Sequence, residues 1–458
     1  MTDPALMTAE NLVQHYRRGT LSPVEALQAV TERIARHNGA LNAFAVLNPR
    51  AVEAAGDSAA RWHAGRPLGP LDGVPCTVKD VMDMAGFPTR RGSRTTPTTP
   101  APHDAPAVLG LRSAGCVLVG KTTTTEFGWK TPGDCPLHGI TRNPWDPRRT
   151  TGGSSSGAGA AAAAGFGPLH TGTDAGGSIR IPAAWCGVVG IKPSFGRVPQ
   201  WPLGAFGHVA VAGPMARTVR DAALMLGAMA RSDWRDPFAL PDEPRDWLHG
   251  IEDGVAGLRV SVLRHPGFDA PVDPDGISAV EDAAQRLADA GAEIHDEDPG
   301  LPDTALAFER LWAAALAALV ASVPDPSLLD PGLLDAARAG GRVTAADLLA
   351  TEAMRVEAAH CMARFHQRFD LVLCPTVPGL PSLADAPMGD PVQALRRDWA
   401  PWTFLFNLTR QPAVTVPMGL GANGLPRSVQ VAAALYRDDL ALRAARTLEG
   451  PPAMPTLR

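Results

Sequence analysis

The sequence predicts an α/β protein with a mostly parallel or mixed sheet. Three observations carry this. Short apolar runs bounded by Gly and Pro (71–81, 116–120, 258–263, 371–374) alternate with stretches of helical periodicity. The 458 residues are 45% hydrophobic, enough for a large core. The 46 glycines and 44 prolines are spread along the chain and mark many turns.

Residues 8–60 read as helices. Thr8 is an N-cap candidate, and Ser22-Pro-Val-Glu25 reads as a capping box with proline at the first helical position. Leu27, Val30, Ile34 and His37 then recur at helical spacing. Residues 71–81 form a strand, 107–114 a helix and 116–120 a buried strand. Residues 142–159 have no apolar periodicity and read as loop, with helix at 160–164 and strand at 169–173. Residues 185–191 are another short apolar run, 218–229 are helical, and 233–250 read as a connecting loop. Strand, helix, strand follow at 258–263, 278–290 and 293–295, then helix over 304–368. Strands at 371–374, 413–416 and 429–432 and a helix at 437–449 close the chain.

Composition excludes several function classes. A net charge of −5 offers no electrostatic footprint for nucleic acid or an anionic membrane. The apolar run 311–323 is too short to span a bilayer and predicts a buried or pocket-rim helix. The N-terminus has no basic stretch followed by an apolar one, so a cytoplasmic location is expected. The six cysteines lie far apart with no C-x-x-C pair, which predicts reduced thiols and no zinc site. Only four of the 42 Lys and Arg residues are lysine: Lys79, Lys121, Lys130 and Lys192.

The chemistry concentrates in residues 150–182, which hold two Gly-Gly-Ser units ending at Ser154 and Ser178. A phosphate cradle fits poorly, because Gly157-Ala-Gly159 follows a loop where the dinucleotide motif needs a strand. A nucleophile elbow at Gly153-Ser-Ser155-Ser-Gly157 fails the same test, because Trp145-Asp-Pro-Arg-Arg is no core strand. A plain tight loop remains open. The fourth reading is a Ser–Ser–Lys arrangement. A serine is a weak nucleophile without a base. A lysine can be that base if desolvation lowers its pKa. Gly176-Gly177 before Ser178 would let N–H groups converge on a developing oxyanion.

At these residues the chain resembles the amidase signature family, serine hydrolases of amides. The matching motifs are the Gly-Gly-Ser-Ser loop at 152–155, Thr173-Asp-Ala-Gly-Gly-Ser-Ile-Arg180, and Gly73-Val-Pro-Cys-Thr-Val-Lys79-Asp80. Stretches 143–147, 187–193, 213–218 and 407–416 extend the resemblance over nearly the whole chain. It implies one domain, 1–458, with a mixed, mostly parallel twisted sheet covered by helices on both faces. Its parts would be N-terminal helices (1–65), a signature core (66–235), a variable pocket region (235–400) and a C-terminal return (401–458).

The resemblance further implies Ser178 as nucleophile, Ser154 as bridging serine behind a cis Gly153–Ser154 peptide, and Lys79 as base. The N–H groups of Ala175, Gly176, Gly177 and Ser178 would form the oxyanion hole, with Ser155, Thr173, Asp174 and Arg180 in support. No metal or cofactor is implied. Ser156 and Ala158 depart from the family's usual glycine and serine, a change expected to alter loop packing.

The pocket is expected from 125–140 and 235–400, with Phe127, Gly128 and Trp129 as candidates against ordinary packing. Its Trp, Phe, Leu, Ala and Pro content suggests an apolar or aromatic amide, anilide or carbamate. The expected partner is that small molecule alone, with a homodimer left open. One rival is a glutamine-amidotransferase A-type subunit, which needs a partner. The other is a binding protein on a dead hydrolase fold. His170 reads as a core or solvent-facing residue, not a catalytic one, and His360 and His366 lack metal-site spacing. Lys121 and Lys192 read as structural. Lys79 has a reason not to be arginine, because a base must lose its proton near neutral pH.

Overall fold

The computed structural model describes residues 3–242, 245–387 and 389–457. Its strands are β1 (Phe44–Leu47), β2 (Pro75–Lys79), β3 (Val117–Thr122), β4 (Asp134–Cys135), β5 (Gly139–Ile140), β6 (Leu169–Asp174) and β7 (Val189–Lys192). They continue as β8 (Val211–Ala216), β9 (Arg259–Val262), β10 (Glu293–His295), β11 (Leu371–Pro375), β12 (Ala413–Leu420) and β13 (Pro426–Ala433). Among the described residues, one 11-stranded sheet runs in the order β1-β3-β2-β6-β8-β7-β12-β13-β11-β9-β10, and β4-β5 form a separate small ribbon.

The sheet is mixed. Parallel pairing is confined to two flanking blocks, β3-β2-β6 and β11-β9-β10. The strands between them, and the edge strand β1, pair antiparallel. One antiparallel pair of this sheet, β12-β13, is a direct hairpin. A tight turn, closed by the Gly421 N–H on the Leu425 carbonyl at 2.8 Å, folds β13 straight back on β12. A parallel pair needs a longer crossover.

Alternate residues of the central strands feed different cores, so both faces are covered. Leu371 and Leu373 join the cluster under the helices Val219–Met229, Pro274–Asp289 and Asp438–Leu448. Val372 and Cys374 point the other way, to Met362, Phe365 and Trp402. The period-2 geometry of a strand produces this split.

Local chemistry sets the helix starts. Thr8 caps Ala9–Arg18 by accepting the Asn11 N–H, and Ser22 and Glu25 complete the capping box of Pro23–Leu41. Four readings need correction. Strand β1 lies inside the stretch read as helical; Phe-Ala-Val-Leu is too short to show a period. The 142–159 loop ends early, because the Ala-rich helix already starts at Ser156. Trp185 belongs to the helix Arg180–Cys186, and only the end of its apolar run is strand. Strand β8 escaped notice because Pro214 sits in its middle, where proline usually argues against a central strand.

The 304–368 region is three main helices, Thr304–Ser322, Pro331–Gly340 and Ala345–Phe365. Asp330 caps the second, whose first residue is Pro331. The first has the length and apolarity of a membrane span, but Phe308, Trp312 and Leu316 bury one of its faces in a core cluster.

The first two of these helices touch at glycine. A Cβ on Gly340 would fall 1.8 Å from the Ala313 carbonyl oxygen. Gly340→Ala is expected to destabilise the fold by about 1–3 kcal/mol through overpacking, exceeding the helix-propensity gain of about 1 kcal/mol. Urea unfolding measures this; an unchanged or raised midpoint contradicts it.

Candidate active site

Lys79 is the last residue of β2, flanked by β3 and β6. Its N–H is held by Thr171 Oγ1 at 2.8 Å, which fixes where the side chain leaves the strand. Its Nζ lies 2.8 Å from Ser154 Oγ, 2.9 Å from Ser155 Oγ and 2.8 Å from Thr173 Oγ1. The side chain is fully buried. Among the described residues no carboxylate pairs with it. Burial lowers its pKa to about 7, against the weaker opposing pull of Asp174. The three hydroxyls can donate or accept, so they solvate both the neutral and the charged amine.

Ser154 and Ser155 sit on the loop before the helix Ser156–Ala164, and the Gly153–Ser154 peptide is cis. Glycine is required here: a Cβ on Gly153 would come within 2.7 Å of Thr125 Cγ2 and 2.9 Å of the Thr131 carbonyl oxygen. The Ser155 N–H donates to the Ser178 carbonyl at 3.2 Å, which ties this loop to the next.

That second loop, 175–179, is organised by Asp174 at the end of β6. Its carboxylate accepts the Gly177 N–H at 2.7 Å and the Ile179 N–H at 3.2 Å, and it pairs with Arg180 at 2.9 Å. Burial alone would raise the Asp174 carboxyl, but Arg180, together with Lys192 and Asn407, outweighs it and brings the pKa to about 2. Arg180 also donates to the Thr403 carbonyl, Gln430 Oε1 and Asn407 Oδ1 at 2.6–2.9 Å. Thr403 donates from Oγ1 to the Gly176 carbonyl at 2.5 Å.

The N–H groups of Ala175, Gly176 and Ser178 have no acceptor among the described residues. The Gly177 N–H does, so its expected place in the oxyanion hole is corrected: Asp174 occupies it. Gly177 instead provides the turn, with φ +133°, and a Cβ there would strike Thr403 Oγ1 at 2.3 Å.

Ser154, Ser178, Thr173 and Ala175 open onto one cavity of about 560 Å³. Phe127 and Gly128 line it, and Gly128 stands close to Ser154: a Cβ there would lie 3.1 Å from Ser154 Oγ. Trp129 does not line it. Its indole is 1% exposed and packs against Trp312 and Trp399, because Phe127 takes a left-handed φ of +51° and turns the following residues into the core.

The wall also departs from expectation. Residues 199–206, with Trp201, Leu203 and Phe206, form much of it, together with Val81 and Met82. Among the described residues of 235–400, only Ala315, Ala318, Leu319 and Ser322 of the helix Thr304–Ser322 contribute.

The remaining candidates are structural. His170 is buried, bonds Thr77 and the Gly167 carbonyl, and burial lowers its pKa to about 3. His366 is engaged by the Phe369 carbonyl and Gln411. All six cysteines are free and buried. The other three lysines are also buried. Lys121 pairs with Asp80 at 2.8 Å, and Lys130 with Asp134 and Asp330 at 2.7 Å each. Lys192 donates to the Pro193 carbonyl, and burial beside Arg180 lowers its pKa to about 7. Thr171, Thr403, Asn407 and Gln430 went unread as site residues. Asn407 opens the 407–416 motif, but nothing local marks its partner as Arg180.

Fold and geometry agree with the comparisons. The Amidase family model matches residues 25–442, and the chain belongs to that family. It is an amide-hydrolysing enzyme. An acylamidase of Rhodococcus erythropolis is 35% identical over 97% of this chain and 95% of its own. One glutamyl-tRNA(Gln) amidotransferase subunit, from Rhodopirellula baltica, is 32% identical over 97% of this chain and 96% of its own. A solved bacterial aryl acylamidase of the amidase signature family superposes with a TM-score of 0.88 at 28% identity, covering 96% of each chain.

Removing the Asp174 charge leaves Arg180 buried without its anion. Asp174→Asn is expected to cost about 3–5 kcal/mol of stability, read by urea unfolding. Because the folded pKa lies below the ordinary 3.8, the carboxylate stabilises fully above that value and loses this contribution as pH falls toward 2. The variant therefore loses that part of the acid sensitivity. Equal unfolding midpoints for the two proteins at pH 7 contradict the account.

Proposed function

We propose that the chain hydrolyses the C–N bond of an amide, anilide or carbamate with an apolar or aromatic arm, through an acyl-enzyme on Ser178. The observation that carries this reading is the Lys79 amine, buried among three hydroxyls without a carboxylate and with a pKa near 7. Such an amine is partly neutral at physiological pH and has a lone pair to offer.

The Ser178 hydroxyl attacks the substrate carbonyl carbon as its proton passes to Ser154, whose own proton moves to Lys79 Nζ. The carbonyl π electrons collect on oxygen, facing the free N–H groups of Ala175, Gly176 and Ser178. On collapse the C–N bond breaks, and the leaving nitrogen takes the proton back along the same relay. Water then adds to the ester and gives a proton to Lys79; on collapse the bond to Ser178 Oγ breaks, that proton returns through Ser154 to Ser178, and the acid is released. Ser155 and Thr173 hold the amine in place, and Asp174 with Arg180 holds the loop.

The amidotransferase alternative would have the enzyme release ammonia from glutamine for a partner. Free glutamine carries an ammonium that a site would meet with a carboxylate. Among the described residues lining the cavity there is none. The apolar walls favour the simple amidase. Activity of the purified chain alone on an aryl amide supports it; glutamine-dependent activity confined to a mixed complex overturns it.

Ser178→Ala is expected to abolish turnover and labelling by a fluorophosphonate probe. Lys79→Arg should lose about 10²–10⁴-fold in kcat, since guanidinium stays protonated. In the wild type kcat/KM should rise with pH to a plateau, with a midpoint of about 7 as Lys79 loses its proton. Lys192 titrates in the same range, so the midpoint is compared in Lys192→Met, where it should persist. A flat profile from pH 5 to 9 contradicts the assignment.

A further inference from the structure

The cavity holds one ionisable side chain that the hydrolytic reaction does not use. Arg91 is the only charged residue among the described residues that line it. The rest of the lining includes Val81, Met82, Phe127 and Leu203, all apolar. Among the described residues its guanidinium has no carboxylate and no hydrogen-bond acceptor. Asp80, whose carbonyl accepts the Arg91 N–H at 2.9 Å, pairs through Oδ1 with Lys121, and its Oδ2 has no hydrogen-bond partner among the described residues.

The backbone at this point is tightly held. Arg91 has a left-handed φ of +51°, uncommon for a residue with a side chain. Its carbonyl accepts the Phe127 N–H at 2.8 Å. Gly92 follows at φ +66°, where a Cβ would strike the Thr124 carbonyl at 2.7 Å. Phe127 leads directly to Gly128, which faces Ser154. The Arg91 backbone is thus tied to the same short segment that walls Ser154. A cation against apolar walls is stabilised by an anion that brings two acceptor oxygens, which the planar fork of arginine binds bidentately.

We infer that Arg91 is a specificity-determining residue for a substrate carboxylate: the enzyme prefers amides whose apolar arm ends in an anionic carboxyl group. This rests on the amide-hydrolase reading of the same site. The carboxylate can belong to the acyl arm or to the amine arm of the substrate, and both place the same group beside the scissile bond.

The test uses two matched pairs. On the acyl side, glutaric acid mono-4-nitroanilide is compared with pentanoyl 4-nitroanilide. On the amine side, 4-acetamidobenzoate is compared with its methyl ester, followed by release of the arylamine. The expected result is a tenfold or greater preference in kcat/KM for the charged member of one pair, which identifies the arm. In Arg91→Met that charged-to-neutral ratio should fall by tenfold or more, and in Arg91→Lys by less. A purely structural role lowers both members alike and leaves the ratio in place, which overturns the inference. No preference in either pair also overturns it. Failure of the wild type to cleave any of the four overturns the hydrolase reading itself. The carboxylate subsite is then judged separately, by calorimetric binding of 3-phenylpropionate: tenfold weaker binding in Arg91→Met supports it, and equal binding rejects it.

Discussion

Removing the Lys79 ammonium from water without giving it an anion makes the charged form expensive, and the active site is arranged around that cost. In a fully buried setting desolvation lowers the pKa into the neutral range. A carboxylate at salt-bridge distance opposes the effect, and one alone does not reverse it: Lys121, paired with Asp80, is still held below its ordinary value by burial. The chain shows that contrast internally: Lys130 is buried too, but Asp134 and Asp330 outweigh its desolvation and raise its pKa. Hydroxyls around Lys79 satisfy its hydrogen-bonding needs and leave its proton loosely held.

The proposed mechanism also asks for a loop whose N–H groups stay free for the substrate. Asp174 provides it by taking the N–H groups of Gly177 and Ile179, so that those of Ala175, Gly176 and Ser178 are left open. Arg180 neutralises Asp174 and anchors it to Thr403, Asn407 and Gln430 near the chain's C-terminal end. The C-terminal segment, with Gln430 on β13 and Asn407 on the short helix Leu405–Leu408, therefore holds the loop that the middle of the chain supplies. Packing, electrostatics and catalysis meet in that ion pair.

What the sequence showed was what short-range chemistry encodes. The capping residues Thr8, Ser22 and Glu25, the strand ending at Lys79, and the two Gly-Gly-Ser loops are local patterns with local causes. Contacts set by folding over long distances were hidden. Arg180 meets Thr403, Asn407 and Gln430 across 223, 227 and 250 residues, and no periodicity reports such pairs. The cavity wall at 199–206 has turn-like composition and no periodic signal. Trp129 has the same composition as a pocket residue, and only the left-handed turn at Phe127 sends it into the core. The scarcity of lysine was visible at once, but that all four would be buried was not.

That scarcity also makes the central claim directly measurable. With four lysines in the chain, ¹³C labelling of lysine Cε gives four NMR signals, and loss of one in Lys79→Arg identifies Lys79. Titrating the wild type from pH 5 to 11, the Lys79 signal should shift with a midpoint of about 7. A Lys79 signal that stays in its protonated position beyond pH 10 would mean that the amine is held as a cation, and the proposed base would be wrong.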